Sequence, residues 1–152
     1  MTSRAMALYF HRTLRRPGNI IDVIYGHFHQ DIREMQILWN LHTSFEVLAF
    51  DPGSINSPLW KKHYQPFMSK VYAICLGPKI DGCDTFLAAR EDDVLQFSYS
   101  STEKVFVCDK QFSLPRLCIN PSFIYFWDKY VYVSASHGGV CCFDLNDMTM
   151  IY

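Results

Sequence analysis

Phe86-Leu87-Ala88-Ala89-Arg90-Glu91-Asp92-Asp93-Val94-Leu95-Gln96-Phe97 and Tyr132-Val133-Ser134-Ala135-Ser136-His137-Gly138-Gly139-Val140-Cys141-Cys142-Phe143 match position by position at an offset of 46 residues. Aromatic meets aromatic at both ends, a small pair meets a small pair, and a four-residue turn is followed each time by Val. Each copy reads as a β-hairpin. Small residues on the first strand permit close packing against a neighbouring sheet. Asp92-Asp93 or Gly138-Gly139 reverses the chain, because Gly takes positive φ freely and Asp tolerates it better than most residues. The second strand then sends alternate side chains to opposite faces.

Outward from this hairpin, short apolar runs alternate with turn signals. Strands are expected at 20–25, 35–41, 45–50, 70–76, 85–89, 94–99 and 105–109. Turns are expected at 77–82, 90–93 and 100–104. Asp51-Pro52-Gly53 breaks the pattern, and 52–66 is expected as a long surface loop with a helical turn around Leu59-Trp60. Residues 1–18 carry Arg4, Arg12, Arg15, Arg16 and His11 with no acid, and read as a basic N-terminal arm ahead of one β domain at 19–152. Arg-rich, acid-poor N-termini also resemble mitochondrial presequences. Pro17-Gly18 and the scarcity of Ser favour the solvated arm, so cytoplasm or nucleus is the expected location.

Composition agrees with a β class. Aromatic residues make up 16% of the 152 positions, and such rings pack well on a pleated surface. The formal net charge is −1, which argues against a general nucleic-acid partner, since phosphate binding needs a basic face. No apolar run reaches the length of a spanning helix, so no membrane partner is expected. The six Cys lie mostly in strand-like apolar runs, lack a Cys-x-x-Cys, and are expected as reduced, packing thiols.

Ile37-Leu38-Trp39-Asn40-Leu41 matches Cys141-Cys142-Phe143-Asp144-Leu145 and supplies a third copy of the second strand. A period in the forties and a strand ending aromatic-Asp-Leu resemble WD repeats, with Phe143-Asp144 and Trp39-Asn40 in place of the Trp-Asp pair. Tyr130–Leu145 is also similar to pyrroloquinoline-type propeller repeats. The resemblance covers about residues 20–152. It implies an incomplete β-propeller of four-stranded antiparallel blades, about three of them, with a small β-sandwich or barrel as the alternative. It further implies a non-catalytic adaptor or scaffold that binds other proteins. Substrate recognition in a ubiquitin ligase is one known employment of that family. Three blades leave two open faces, so self-association is also expected.

Two clusters compete as sites. Trp60, Lys61, Lys62 and Tyr64 form a basic-aromatic patch in the expected loop, and loops carry binding residues disproportionately. His27, His29 and Asp31 follow an expected strand and resemble part of the His-x-His-x-Asp-His zinc motif of metallo-β-lactamase-like hydrolases, with Ile32 where the last His would stand. They carry the alternative function, a metal-dependent hydrolase. Otherwise no catalytic residue and no cofactor is expected: there is no Gly-x-Ser-x-Gly and no phosphate-binding Gly loop. The aromatic run from Phe123 to Tyr132 is expected as core.

Overall fold

A computed structural model describes residues 20–30, 32–50, 59–67, 69–134, 138–147 and 149–151. Among the described residues, eleven strands follow one another: β1 Asp22–Gly26, β2 Gln36–Asn40, β3 Ser44–Phe50, β4 Leu59–Pro66, β5 Val71–Ile80, β6 Cys83–Arg90, β7 Asp93–Ser100, β8 Val105–Ser113, β9 Ile124–Trp127, β10 Tyr130–Ser134 and β11 Val140–Asp144. A single 3-10 turn spans Arg116–Cys118, and no α-helix occurs among the described residues. The chain is mainly β, as its composition requires.

The strands form three antiparallel meanders in chain order. Sheet I is β1-β2-β3-β4, sheet II is β5-β6-β7-β8, and sheet III is β9-β10-β11. Thr149–Ile151 run beside β11: Phe143 bridges Met150, and the Ile151 N–H donates to the Cys142 carbonyl at 2.8 Å.

The meanders stack, because each strand's two-residue alternation must bury at least one face. Ile24, Leu38, Phe45 and Val47 of sheet I interlock with Ile74, Phe86, Ala88, Leu95 and Phe97 of sheet II. The opposite face of sheet II (Ala73, Cys75, Leu87, Ala89, Val94) packs on Ile124, Val131, Val133, Cys141 and Phe143 of sheet III. Sheet II is thus covered on both sides, and the middle of β6 is buried continuously from Asp84 to Ala89. Ala88 and Ala89 are fully enclosed, consistent with a strand between two layers. The first strands adjoin, β1 against β5 and β5 against β9.

Several sequence expectations change. The stretch expected as a loop over 52–66 contains β4, an eight-residue strand and not a helical turn. β4 is the edge of sheet I, where lysines and a terminal proline are the residues that discourage further pairing. Its charge cluster reads as loop only when that edge position is unknown. The turn expected at 77–82 is shorter, since β5 continues to Ile80 and pairs with Cys83 across Asp81-Gly82. Both turn residues have positive φ (50° and 82°), so the Asp-Gly pair is the hairpin signal at this point.

The 46-residue echo is partly structural. Val94–Phe97 and Val140–Phe143 both lie on the third strand of their sheets, with Leu95 and Cys141 facing inward alike. The preceding strands slip by one. Ala89 pairs with Val94, whereas Ser134 pairs with Val140 across a turn one residue longer. A one-residue slip exchanges the faces. Phe86 therefore points into the I–II core, while its partner in the sequence match, Tyr132, lies on the far face of sheet III. The third copy is not equivalent at all. Ile37–Asn40 is a second strand, matched in sequence to a third strand. The likeness comes from a shared terminus, because Asn40 Oδ1 and Asp144 Oδ1 each accept the N–H two residues on, at 2.9 Å.

Candidate interaction site

Among the described residues, the outer face of sheet III gathers several exposed aromatic side chains. β9 places Ile124 toward sheet II, so period-two alternation sends Tyr125 and Trp127 outward. Trp127 is 63% exposed, Tyr125 51% and Phe123 46%. The β9–β10 register puts Tyr132 opposite Tyr125, with ring centroids 6.5 Å apart. Phe123 stacks on Tyr125 at 6.4 Å and 17°. With Val140 of β11, these rings line a shallow depression of about 500 Å³. The run expected as core is therefore divided: Ile124 is buried, while Phe123, Tyr125 and Trp127 face outward. Strict alternation along 123–127 was the available signal.

Charge lies at the border of this face. Lys129 Nζ pairs with Asp144 Oδ2 at 2.9 Å and sits 5.1 Å from the Tyr130 ring centre. The ammonium hydrogen-bonds Asp144 and holds its carboxyl below the ordinary carboxylate range, and the pair raises Lys129 in turn. An aromatic centre with a charged rim suits protein recognition, where Tyr and Trp dominate the binding energy.

The basic-aromatic patch takes a different form from the one expected. Trp60, Lys61, Lys62 and Tyr64 lie on β4. Trp60 pairs with Ala49, Lys61 with Leu48 and Tyr64 with Glu46, and Lys62 is the extra residue of a bulge between Val47 and Leu48. Tyr64 is exposed, while the side chains of Trp60, Lys61 and Lys62 lie outside the described residues. Nothing among the described contacts joins this edge strand to the aromatic face of sheet III.

The His27/His29/Asp31 cluster divides as well. The chain leaves β1 and turns inward, held by Gln36, whose Oε1 accepts the Phe28 and His29 N–H groups at 3.2 and 3.1 Å. His29 is buried with its ring 3.9 Å from Tyr99 and 5.7 Å from Phe106, centre to centre. The His27 main chain bonds Asp84 of β6: its N–H donates to Asp84 Oδ2 and its carbonyl accepts the Asp84 N–H, both at 2.8 Å. Asp31 lies outside the described residues. Among the described residues no three His, Cys, Asp or Glu side chains gather as a metal group.

The cysteines are free thiols. Burial pushes Cys75 up to about 12, with the Asp22 charge adding to it. Burial, and then the neighbouring Cys141, push Cys118 up to about 12. Both stay protonated near neutrality, and the thiolate is the reactive form. Among the described residues no helix is long and apolar enough to cross a membrane.

No protein-family model matches the chain, and no curated protein matches it significantly.

Proposed function

We propose that this chain is a non-catalytic protein-interaction module, an adaptor or scaffold assembled as consecutive blades of a propeller-like β structure. Three features support the propeller reading. The sheets are meanders in strict chain order, each stacks face to face on the next, and their first strands adjoin. That arrangement is the one by which propeller blades surround a channel. The resemblance to WD repeats points the same way. Substrate recognition in a ubiquitin ligase, in the cytoplasm or nucleus, is the finer form of the proposal and rests on that resemblance only.

The observation that carries the binding role is the solvent-facing ring set Phe123, Tyr125 and Trp127. The largest contiguous apolar patch on a monomer is often a functional one. The test is quantitative affinity capture with the intact chain and with Tyr125→Ser/Trp127→Ser, both checked for equal folding. The double variant should lose captured proteins at least tenfold. Equal capture by both chains would refute this face as the site. One tightly bound zinc per chain, lost in His27→Ala and His29→Ala, would instead favour the metal-dependent hydrolase.

A further inference from the structure

We propose that the aromatic face of sheet III takes a proline-rich segment of its protein partner, laid along β9 as an extended polyproline helix. This rests on the reading of that face as the binding site, and names the partner chemistry the site selects.

The strand registers set the face out in three rows. Trp127 lies opposite Tyr130, and Tyr130 opposite Asp144. Tyr125 lies opposite Tyr132, and Tyr132 opposite Cys142. Ser134 lies opposite Val140, and its N–H donates to the Phe123 carbonyl at 3.1 Å. Phe123, Tyr125 and Trp127 therefore give the first column a ring in every row.

Hydrogen-bonding capacity is spent unevenly over these rows, and the acceptors are largely engaged within the chain. Ser134 Oγ accepts the Ser122 and Phe123 N–H groups at 3.0 and 3.2 Å. Asp144 takes the Lys129 ammonium on Oδ2 and the Asn146 N–H on Oδ1, so the charges at the border neutralise each other. The Lys129 ammonium also hydrogen-bonds Tyr130, and the Cys142 thiol engages Tyr132. Donors remain. Among the described residues, neither the Tyr125 O–H nor the Trp127 Nε1–H has a partner in the chain, and the indole can only donate.

Complementarity then fixes the partner's chemistry: uncharged, apolar enough to cover rings, and richer in acceptors than in donors. An ordinary extended peptide brings one N–H for every carbonyl, and an N–H laid on engaged acceptors is buried without a partner, which is costly. A helix pairs its own backbone groups and offers the Tyr and Trp donors no carbonyl. A proline-rich segment has carbonyls without amide hydrogens, and in the polyproline conformation those carbonyls have no internal partner. Its rings pack on aromatic ones, and its stiffness limits the entropy lost on docking. Lengths agree as well. Phe123 to Trp127 covers about 13 Å of extended chain, the length of about four polyproline residues.

The test is nuclear magnetic resonance on the ¹⁵N-labelled intact chain, reading the Trp127 indole N–H. Its signal is told from those of Trp39 and Trp60 by its absence in Trp127→Phe. The probe is end-capped decaproline. The controls are a Gly-Ser decamer and an Ala-Leu-Lys helical peptide. Decaproline should give a saturable shift with a Kd of roughly 0.1 mM, in keeping with a contact far smaller than a stable protein interface. Both controls should bind at least tenfold more weakly. Tyr125→Ser should weaken decaproline at least tenfold. Tyr125→Phe, which keeps the ring and removes only the hydroxyl donor, should weaken it about threefold to tenfold and stands in if the Ser variant misfolds. The absence of a shift up to roughly 2 mM decaproline, about twenty times the expected Kd, overturns the proposal. So does an equal response to the Gly-Ser decamer, or binding unchanged in either Tyr125 variant. Tighter binding of the helical peptide overturns it in favour of a helical partner. If decaproline fails while Tyr125→Ser/Trp127→Ser still loses captured proteins, only the proline-rich partner is refuted. If capture is equal as well, the binding face falls with it.

Discussion

Phe86 packs in the core between sheets I and II. Its ring is fully buried, stacks on Phe97 with centroids 5.0 Å apart, and meets Phe45 edge-on at 5.0 Å. Phe28 and Phe106 complete the surround at 6.4 and 5.7 Å. Phe86→Ala removes the transfer energy of a buried ring, about 1.5–3 kcal/mol, and leaves a cavity whose walls are rings already engaged with one another. Lost ring pairs add about 0.5–1.5 kcal/mol. The expected cost is about 4 kcal/mol, inside the usual range for Phe→Ala in a core. A chain of this length has roughly 8 kcal/mol at the low end of ordinary stability. The variant should therefore still fold, with its urea midpoint lowered by about 2 M for a slope near 2 kcal/mol/M. Trp127→Ala is the paired control on the outer face of sheet III. It removes an even larger ring, yet should shift the midpoint by no more than about 0.25 M, which is about 0.5 kcal/mol at the same slope. A Phe86→Ala cost below about 1 kcal/mol would mean that the two sheets do not enclose this ring. Equal losses in both variants would refute the assignment of one ring to the core and the other to the surface.

Further outcomes follow from local geometry. Asp93 accepts a bidentate bond from Arg90 and a bond from Gln111 Nε2 at 2.6 Å, so Asp93→Ala should cost about 2 kcal/mol by thermal melt, because it strips partners from both. Gly139 has φ 106° with open space around it, so Gly139→Val should cost about 1–3 kcal/mol through backbone strain alone, and Gly139→Ala nearly as much. The Asp144 carboxyl titrates below its ordinary 3.8 in the folded chain, so its contribution is complete above that pH and is lost as pH falls through the folded value. Urea titrations at pH 5 and pH 3 should show a smaller acid loss in Asp144→Asn than in the parent. The Cys75 and Cys118 thiols are raised from 9.0 to about 12, so the stabilisation from keeping them neutral is complete below pH 9 and is lost as pH rises toward 12. Both should resist iodoacetamide at pH 8 until urea unfolds the chain, as read by peptide mass, and rapid native labelling of either would contradict their burial.

The β class, the positions of most strands and many of the turns were legible in the residues themselves. Alternation is a local property. Asp81-Gly82 and Gly138-Gly139 place positive φ where hairpins reverse, whatever lies around them. The third-strand half of the repeat, Val94–Phe97 against Val140–Phe143, was legible for the same reason. What a face meets is not local. Period-two alternation assigns Ile124 and Tyr125 to opposite sides of β9, but only contact with sheet II makes one core and the other surface. One extra turn residue before Val140 was enough to place Tyr132 outward where its sequence partner Phe86 points inward, because a slip of one residue exchanges every side chain between faces. The same holds for β4, whose lysines look like loop until sheet order makes it an edge, and for His29, a ligand by spacing and a buried ring once Gln36 and Tyr99 close around it. Sequence determined where the chain extends and reverses. Tertiary structure decided which faces are covered, because that depends on layers about fifty residues apart along the chain.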